Sequence, residues 1–208
     1  MEGAQGKERT VVLQPEHMAA MHTPQASRWG ESEQIGLSWF IDAIDGTRQL
    51  SHGGGTNGQI SLLALFPAHQ LGVVVLTNSS EGGSVTDDVR RWVLEHYLEL
   101  SDPRPEPVEA SVEELAAYEG FYTRPFADIE LGMLNGRLIG QMVYKQGFPS
   151  RDQPPPPPPP PVSLALCQVD RLLVTSGPGK GARGEVIRKQ DGTIGWLRLG
   201  RIHRRVEK

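Results

Sequence analysis

One cysteine, Cys167, stands in the 208 residues, so no disulfide can form within the chain and no disulfide framework defines it. Its setting, VSLALCQVD, is a strand-like apolar run. That favours a buried structural thiol over a nucleophile. Aromatic residues are scarce, at 6%, against 38% hydrophobic and 22% charged residues. The balance is that of a globular protein with some polar segments, and the length suits one large or two small domains. No apolar run approaches the length of a membrane span. The first ten residues, MEGAQGKERT, lack the apolar core of a signal peptide. The formal net charge is −4, so no basic field invites nucleic acid or an anionic membrane. The closing RLGRIHRRVEK is locally basic and reads as a solvated last strand rather than a phosphate-binding patch.

Glycine and proline are what the chain has in quantity, 24 and 17 residues, and they punctuate it. Pro15 suits a first helical turn, and Pro24 stops that helix after EHMAAMHT. Met18 and Met21 share one face of it, as core contacts. IGLSWFIDAI, residues 35 to 44, predicts a strand ending at the turn pair Asp45-Gly46. A second strand is expected from about Gln59 to Phe66. A third, GVVVLTN at 72 to 78, is continuous and β-branched, as in a strand buried on both faces. A helix then starts near Ser84, which can cap it, with Asp87 and Asp88 in the first turn. Val85, Val89, Trp92, Val93, Tyr97 and Leu100 give it one broad apolar stripe, which needs a sheet to lie on.

SDPRPEPVEA places three prolines among charges. It is a semi-rigid linker, with a domain boundary near residue 105. Ser111 and Glu114 then have capping-box spacing. Short strand-like pieces follow, with hairpin signals at Asn135-Gly136 and Asp191-Gly192. The second unit is therefore expected to be an all-β, up-and-down barrel. Pro154 to Pro161 are eight consecutive prolines, a polyproline helix about 25 Å long. The run is either a ligand for an aromatic-lined groove or a stiffened surface loop. The lack of flanking basic residues close by and its place inside a domain favour the loop.

The stretch QLSHGGGTNGQISLLALFP, residues 49 to 67, is not what a plain strand needs. Glycine weakens a strand interior and marks a bulge or a close approach to the backbone. Here His52, Gly53, Gly54 and Gly55 stand together, followed by Thr56, Asn57 and Gly58. Taken alone, His52 reads as a surface histidine before a glycine-rich hairpin. His17, His22, His69, His96 and His203 form no ligand spacing, so no metal site is assigned.

GLSWF, then HGGGTNGQISLLALFPAHQLGVVVLTN, then the amphipathic helix, together resemble the C-terminal part of the serine β-lactamase and penicillin-binding-protein family, in its class C-like branch. The resemblance covers about residues 12 to 100, and His52-Gly53-Gly54 matches the family's His-x-Gly form. AYEGFY and DGTIGWLRLGRI resemble the small β-barrel appended in some members. The fold this implies is α+β. An antiparallel sheet with a packed helix (a partial β-lactamase-like transpeptidase fold, residues 1–104) precedes an all-β lipocalin-like barrel (105–208).

The resemblance also implies roles. The Gly55 N–H would be one donor to a tetrahedral oxyanion, where a pre-aimed donor contributes about 3–4 kcal/mol. His52 would sit beside the base of the nucleophile. Gly53 and Gly54 would let substrate lie along the strand, and Thr56 and Asn57 would contact a substrate carboxylate or amide. Yet no serine has lysine three residues on, no tyrosine has Asn two residues on, and there is no G-x-S-x-G elbow.

The expectation is thus a fragment of a serine hydrolase acting on a small-molecule or peptide acyl substrate and inactive alone. It would need no cofactor and would self-associate or require a missing N-terminal fragment. The alternative is a non-catalytic module binding peptide or peptidoglycan stems. The cellular compartment is not legible.

Overall fold

The computed structural model describes residues 4–5, 11–27, 33–56, 58–147 and 150–207. The chain divides into two compact units, Met1–Pro103 and Arg104–Lys208. The first begins with a two-stranded ladder of β1 (Ala4–Gln5) and β2 (Val11–Leu13). Helix α1 (Pro15–His22) follows, with Pro15 in its first turn, where the missing N–H costs nothing. A six-stranded antiparallel sheet is built in chain order from β3 (Ala26–Ser27), β4 (Glu33–Ile35), β5 (Phe40–Ile44), β6 (Thr47–Thr56), β7 (Gln59–Phe66) and β8 (Leu71–Thr77). Helix α2 (Gly82–Leu98) packs on β7 and β8. Ile44, Ala64, Phe66, Val73 and Leu94 form the core between sheet and helix.

Three local expectations for this unit change. The strand expected over 35–44 is two strands, because the chain turns at Gly36–Trp39. The Gly36 N–H donates to the Trp39 carbonyl at 2.8 Å, and Ser38 has φ 64°. A Cβ on Gly36 would lie 2.3 Å from the Met21 carbonyl oxygen, so the bend against α1 requires glycine. β8 is buried on one face only. Val73 is 8% exposed, whereas Val74 and Leu76 are 65% and 76% exposed, because α2 covers one side and no described element covers the other. Ser84 does not cap α2. The N-cap is Glu81, and the Ser84 hydroxyl donates to the Glu81 carbonyl.

The buried face of α2 is also rotated from the expected stripe. Gly82, Thr86 and Leu94 are buried, while Val85, Val89, Trp92 and Tyr97 are exposed. Val93 and Leu100 of the expected stripe do pack on this core, with Leu94 and Leu98, but the first turns of the contact face are built from the small Gly82 and Thr86, which an apolar count misses. A Cβ on Gly82 would fall 1.8 Å from the Thr77 hydroxyl oxygen.

In the second unit, α3 (Val112–Ala116) starts with the capping box: the Ser111 hydroxyl accepts from the Glu114 N–H, and the Glu114 carboxylate accepts from the Ser111 N–H. Eight strands then close a barrel. They are β9 (Gly120–Thr123), β10 (Ala127–Leu134), β11 (Arg137–Tyr144), β12 (Val162–Gln168), β13 (Arg171–Ser176), β14 (Arg183–Arg188), β15 (Ile194–Leu199) and β16 (Arg201–Val206). Each pairs with its chain neighbours, and β9 closes the ring by pairing with both β10 and β16. This is the up-and-down order, and closure leaves no free edge. Asn135 and Gly136, at φ 51° and 73°, make the left-handed turn between β10 and β11. The coarse architecture is therefore α+β: an antiparallel sheet with a packed helix, then a closed all-β barrel. Among the described residues no helix is long and apolar enough to cross a membrane.

The barrel interior is filled by Tyr122, Ile129, Leu131, Leu138, Leu172 and Leu197, all within 2% exposure. Cys167 is half-buried, its thiol 3.6 Å from the Arg171 carbonyl oxygen. A histidine lies inside as well. His203 is 1% exposed and stands across from Leu197. Its Nδ1 is 3.0 Å from the Arg201 carbonyl oxygen, and the Arg124 Nε donates to its Nε2 at 3.2 Å. Nε2 must carry a lone pair to accept that bond, so the ring is neutral.

Burial holds the His203 pKa below the ordinary 6.5. The Arg201 carbonyl and Asp128 favour the proton, and Arg124 and Lys145 oppose it. The unfolded chain therefore binds the proton more readily. Stability of the barrel is fully present above the ordinary value of 6.5 and falls as pH drops through it, by up to about 1.4 kcal/mol per pH unit. Urea unfolding of the chain at pH 7.5, 6.0 and 5.0 should show this loss, and His203→Gln should flatten it. A wild-type barrel equally stable at all three values would contradict the assignment.

Candidate ligand site

β5 and β6 form a hairpin in which Ile44 pairs with Thr47 across Asp45 and Gly46, at φ 48° and 76°. Residues that flank such a two-residue loop exchange both backbone bonds, and every second residue repeats the pattern. Thr47, Gln49 and Ser51 therefore direct their N–H and C=O groups toward β5. The last partner on that side is Phe40, opposite Ser51. β6 continues for five residues beyond it, His52 to Thr56, paired only with β7 as far as Thr56 opposite Gln59.

By the same alternation, His52, Gly54 and Thr56 bond to β7, while Gly53 and Gly55 turn their N–H and C=O groups to the side where no described strand pairs. The sequence fold thus leaves a short, bare strand edge that offers two donors and two acceptors. All of His52 to Thr56 is exposed.

The glycines of this edge are in extended backbone, so their conformational freedom is not what the fold uses. They are short of room. A Cβ on Gly54 would lie 2.9 Å from the Ser61 hydroxyl, one on Gly55 3.0 Å from the Ile60 Cδ1, and one on Gly53 3.3 Å from the Ser61 carbonyl oxygen. The result is a strand flanked on neither face by side chains of its own. The His52 ring stacks on Phe40, with centroids 5.6 Å apart and planes 6° apart, so an aromatic pair borders the point where β5 leaves. Thr56 closes the other end. Asn57 lies outside the described residues. The expected site residues His52, Gly53, Gly54, Gly55 and Thr56 thus fall on one exposed segment. Phe40 and Ser61 belong to the same place, and sequence reasoning did not single them out.

A polar network fixes β6 behind the edge. The Gln49 side chain, on a residue 4% exposed, donates to the Asp42 carboxylate at 3.1 Å and accepts from the Arg90 guanidinium at 3.3 Å. Arg90 also bonds Asp87 at 2.9 Å and Asp102 at 2.5 Å. Burial works against the Arg90 charge, but these two carboxylates more than offset it, and its pKa is raised. Asp87 lies below the usual carboxylate range; burial would lift it, and the hydrogen bonds from Arg90 and Arg91 overcome that. β5, β6, α2 and the segment after it are thereby tied at one point. A separate shallow cleft of about 310 Å³ is lined by Gln34, Ile41, Asp42 and Arg48 among others, and none of His52 to Thr56 takes part in it.

No protein-family model matches the chain, and no curated protein sequence matches it. Its fold is similar to that of solved structures of SurE. The structure of SurE with D-Leu aligns at a TM-score of 0.62 and 20% identity, over 93% of this chain and 44% of the SurE chain. A second SurE structure aligns at a TM-score of 0.59 and 17% identity, over 93% and 42%. The chain thus spans less than half the length of the structures it matches, and at these identities the likeness is one of fold. An octameric penicillin-binding protein homologue from Pyrococcus abyssi aligns at a TM-score of only 0.38, too low to carry a likeness.

These findings correct the resemblance drawn from the sequence. The fold likeness is to SurE, so the assignment to β-lactamases and penicillin-binding proteins, the partial β-lactamase-like fold and the serine-hydrolase fragment are not supported. The peptidoglycan-stem module is no better supported. The physical reason is that strand, turn, strand and helix in that order, with a short His-Gly-Gly motif, define a supersecondary pattern that more than one protein can carry. The oxyanion and base-side roles of Gly55 and His52 rested on that resemblance.

Proposed function

We propose that the first unit binds a small D-amino acid non-covalently, with the ligand's backbone groups against Gly53 and Gly55. The observation that carries this reading is the unpaired edge of β6, which leaves N–H and C=O groups free at a place with no flanking Cβ. An amino acid's carboxylate accepts from such N–H groups, and its ammonium donates to the C=O groups. Inverting the α-carbon moves the side chain to the other side of the ligand's backbone. The glycine edge carries no side chain of its own to bar either configuration at the ligand's α-carbon, so it admits a D-centre as well as an L-centre. SurE was solved with D-Leu, which makes D-leucine the first ligand to try. His52 and Thr56 stand at the two ends as polar contacts, and Asn57 follows Thr56 in the sequence.

The second unit is lipocalin-like in strand number and order. Its filled interior argues for a scaffold role and against a carrier of small molecules.

Calorimetric titration of the chain with D-leucine tests the proposal. A ligand of this size should bind with a Kd of about 1 mM or tighter. L-leucine should bind with a similar Kd, because the glycine edge bars neither configuration. Gly53→Val, whose Cβ meets only the Ser61 carbonyl oxygen at 3.3 Å, should weaken D-leucine about tenfold. No saturation by D-leucine, or D-leucine binding unchanged in Gly53→Val, would overturn it.

A further inference from the structure

We infer that the exposed polyproline segment between β11 and β12 is a docking element for an aromatic-lined groove of the SH3 type, with an acidic rim. The covalent structure of the segment decides its shape. Each of Pro154 to Pro161 has φ fixed near −65°. Each of Gln153 to Pro160 precedes a proline and is driven out of the helical region into extended backbone. The run can therefore adopt only the polyproline II helix, with three residues per turn and about 25 Å of length. It has no backbone N–H to give, so it cannot join the barrel ladder. Among the described residues between Tyr144 and Val162 there is no strand.

The run is tied at both ends, by the Ser150–Gln153 turn packed on Gly147 before it and by β11 near its end, and its middle is presented. The Gln141 side chain on β11 donates to the Pro159 carbonyl at 2.9 Å, and Pro159 is half-buried. Pro154 to Pro158 are exposed throughout. Prolines three apart share a face, so the free stretch offers two usable pairs, Pro154 with Pro157 and Pro155 with Pro158. Grooves of the SH3 class read such pairs with aromatic slots. Arg151, a basic residue that the sequence reading passed over, is exposed beside Asp152 in the turn that leads into the run, where the Gln153 N–H donates to the Ser150 carbonyl at 3.3 Å; opening of that turn on docking completes Arg-x-x-Pro-x-x-Pro over 151–157. A guanidinium in the turn next to the start of the rod selects a groove with carboxylates at that end. A rod that is already ordered loses little entropy on docking. A stiff loop that merely spanned two strands would need neither the five exposed prolines nor the charge before them.

The test is a fluorescence titration of the whole chain against a panel of SH3 domains selective for Arg-x-x-Pro-x-x-Pro. We expect binding with a Kd tighter than about 300 μM in at least one. Arg151→Ala should weaken it by about threefold or more, and the combined Pro154→Gly, Pro155→Ser, Pro156→Gly, Pro157→Ser and Pro158→Gly variant by more than about tenfold. The thermal midpoint of that variant should stay near the wild-type value, because these side chains lie outside the barrel core. Should it not fold, a peptide of residues 150–162 must displace the wild-type chain from the same domain. Binding weaker than the stated limit, binding unchanged in the five-proline variant, or failure of the peptide to compete would each overturn the inference. The outcome is independent of whether β6 binds D-leucine.

Discussion

Arg90→Ala should destabilise the first unit by about 2–4 kcal/mol. The guanidinium is 11% exposed and sits between the Asp87 and Asp102 carboxylates, with the Gln49 amide as a third partner. Its removal leaves a half-covered Asp102, at 24% exposure, and the buried Gln49 oxygen without their donor. Leaving a buried acceptor unpaired costs more than the net worth of the bond that was lost. Arg91 reaches the same Asp102 oxygen at 3.2 Å, so part of the charge stays compensated, which sets the upper bound. Urea unfolding followed by Trp39 and Trp92 fluorescence reads the change. The loss should reach the ligand edge too, since Gln49 fixes β6 three residues before His52. A change below about 0.5 kcal/mol would show that the network is an exposed, screened one.

Leu197→Ala should cost the barrel about 2–5 kcal/mol. Leu197 is fully buried in the cluster with Tyr122, Val186 and Ile194. Its neighbours belong to a closed ring of strands, in which no element can slide to fill the space, so the cavity term is retained. His203 lies directly across from it, and a void beside a neutral imidazole admits water. The variant should therefore also show a smaller acid-dependent loss than the wild type. Chemical denaturation at pH 7.5 and 5.0 measures both effects. A wild-type midpoint at pH 7.5 would mean that the barrel core is not the packed interior described above.

The parts of this fold that were legible in the sequence are those whose cause is local. Pro15 and Pro24 bracket α1, Asn135-Gly136 turns β10 into β11, and Ser111 with Glu114 caps α3, because each acts over a few residues through backbone dihedrals or one hydrogen bond. The break at Gly36 was not legible, since the atom that demands it is the Met21 carbonyl oxygen of a separate element. The rotation of α2 escaped for the same reason: Arg90 is buried by carboxylates and an amide that only the tertiary fold brings together.

At the site, the glycines announced themselves by their rarity in strands. What makes them an edge, the departure of β5 at Phe40 one register position before His52, is a matter of pairing length and leaves no trace in composition. The same limit explains the misplaced family resemblance. A short motif and an order of elements were read where only three-dimensional likeness could decide.

Backbone amide NMR during a D-leucine titration tests the central claim most directly. If the edge of β6 is the site, the Gly53 and Gly55 amides shift and saturate together. The Gly54 amide, already bonded to β7, moves less, and the barrel amides stay in place. Equal displacement of all three glycines, or shifts confined to residues outside 52–56, would contradict the account.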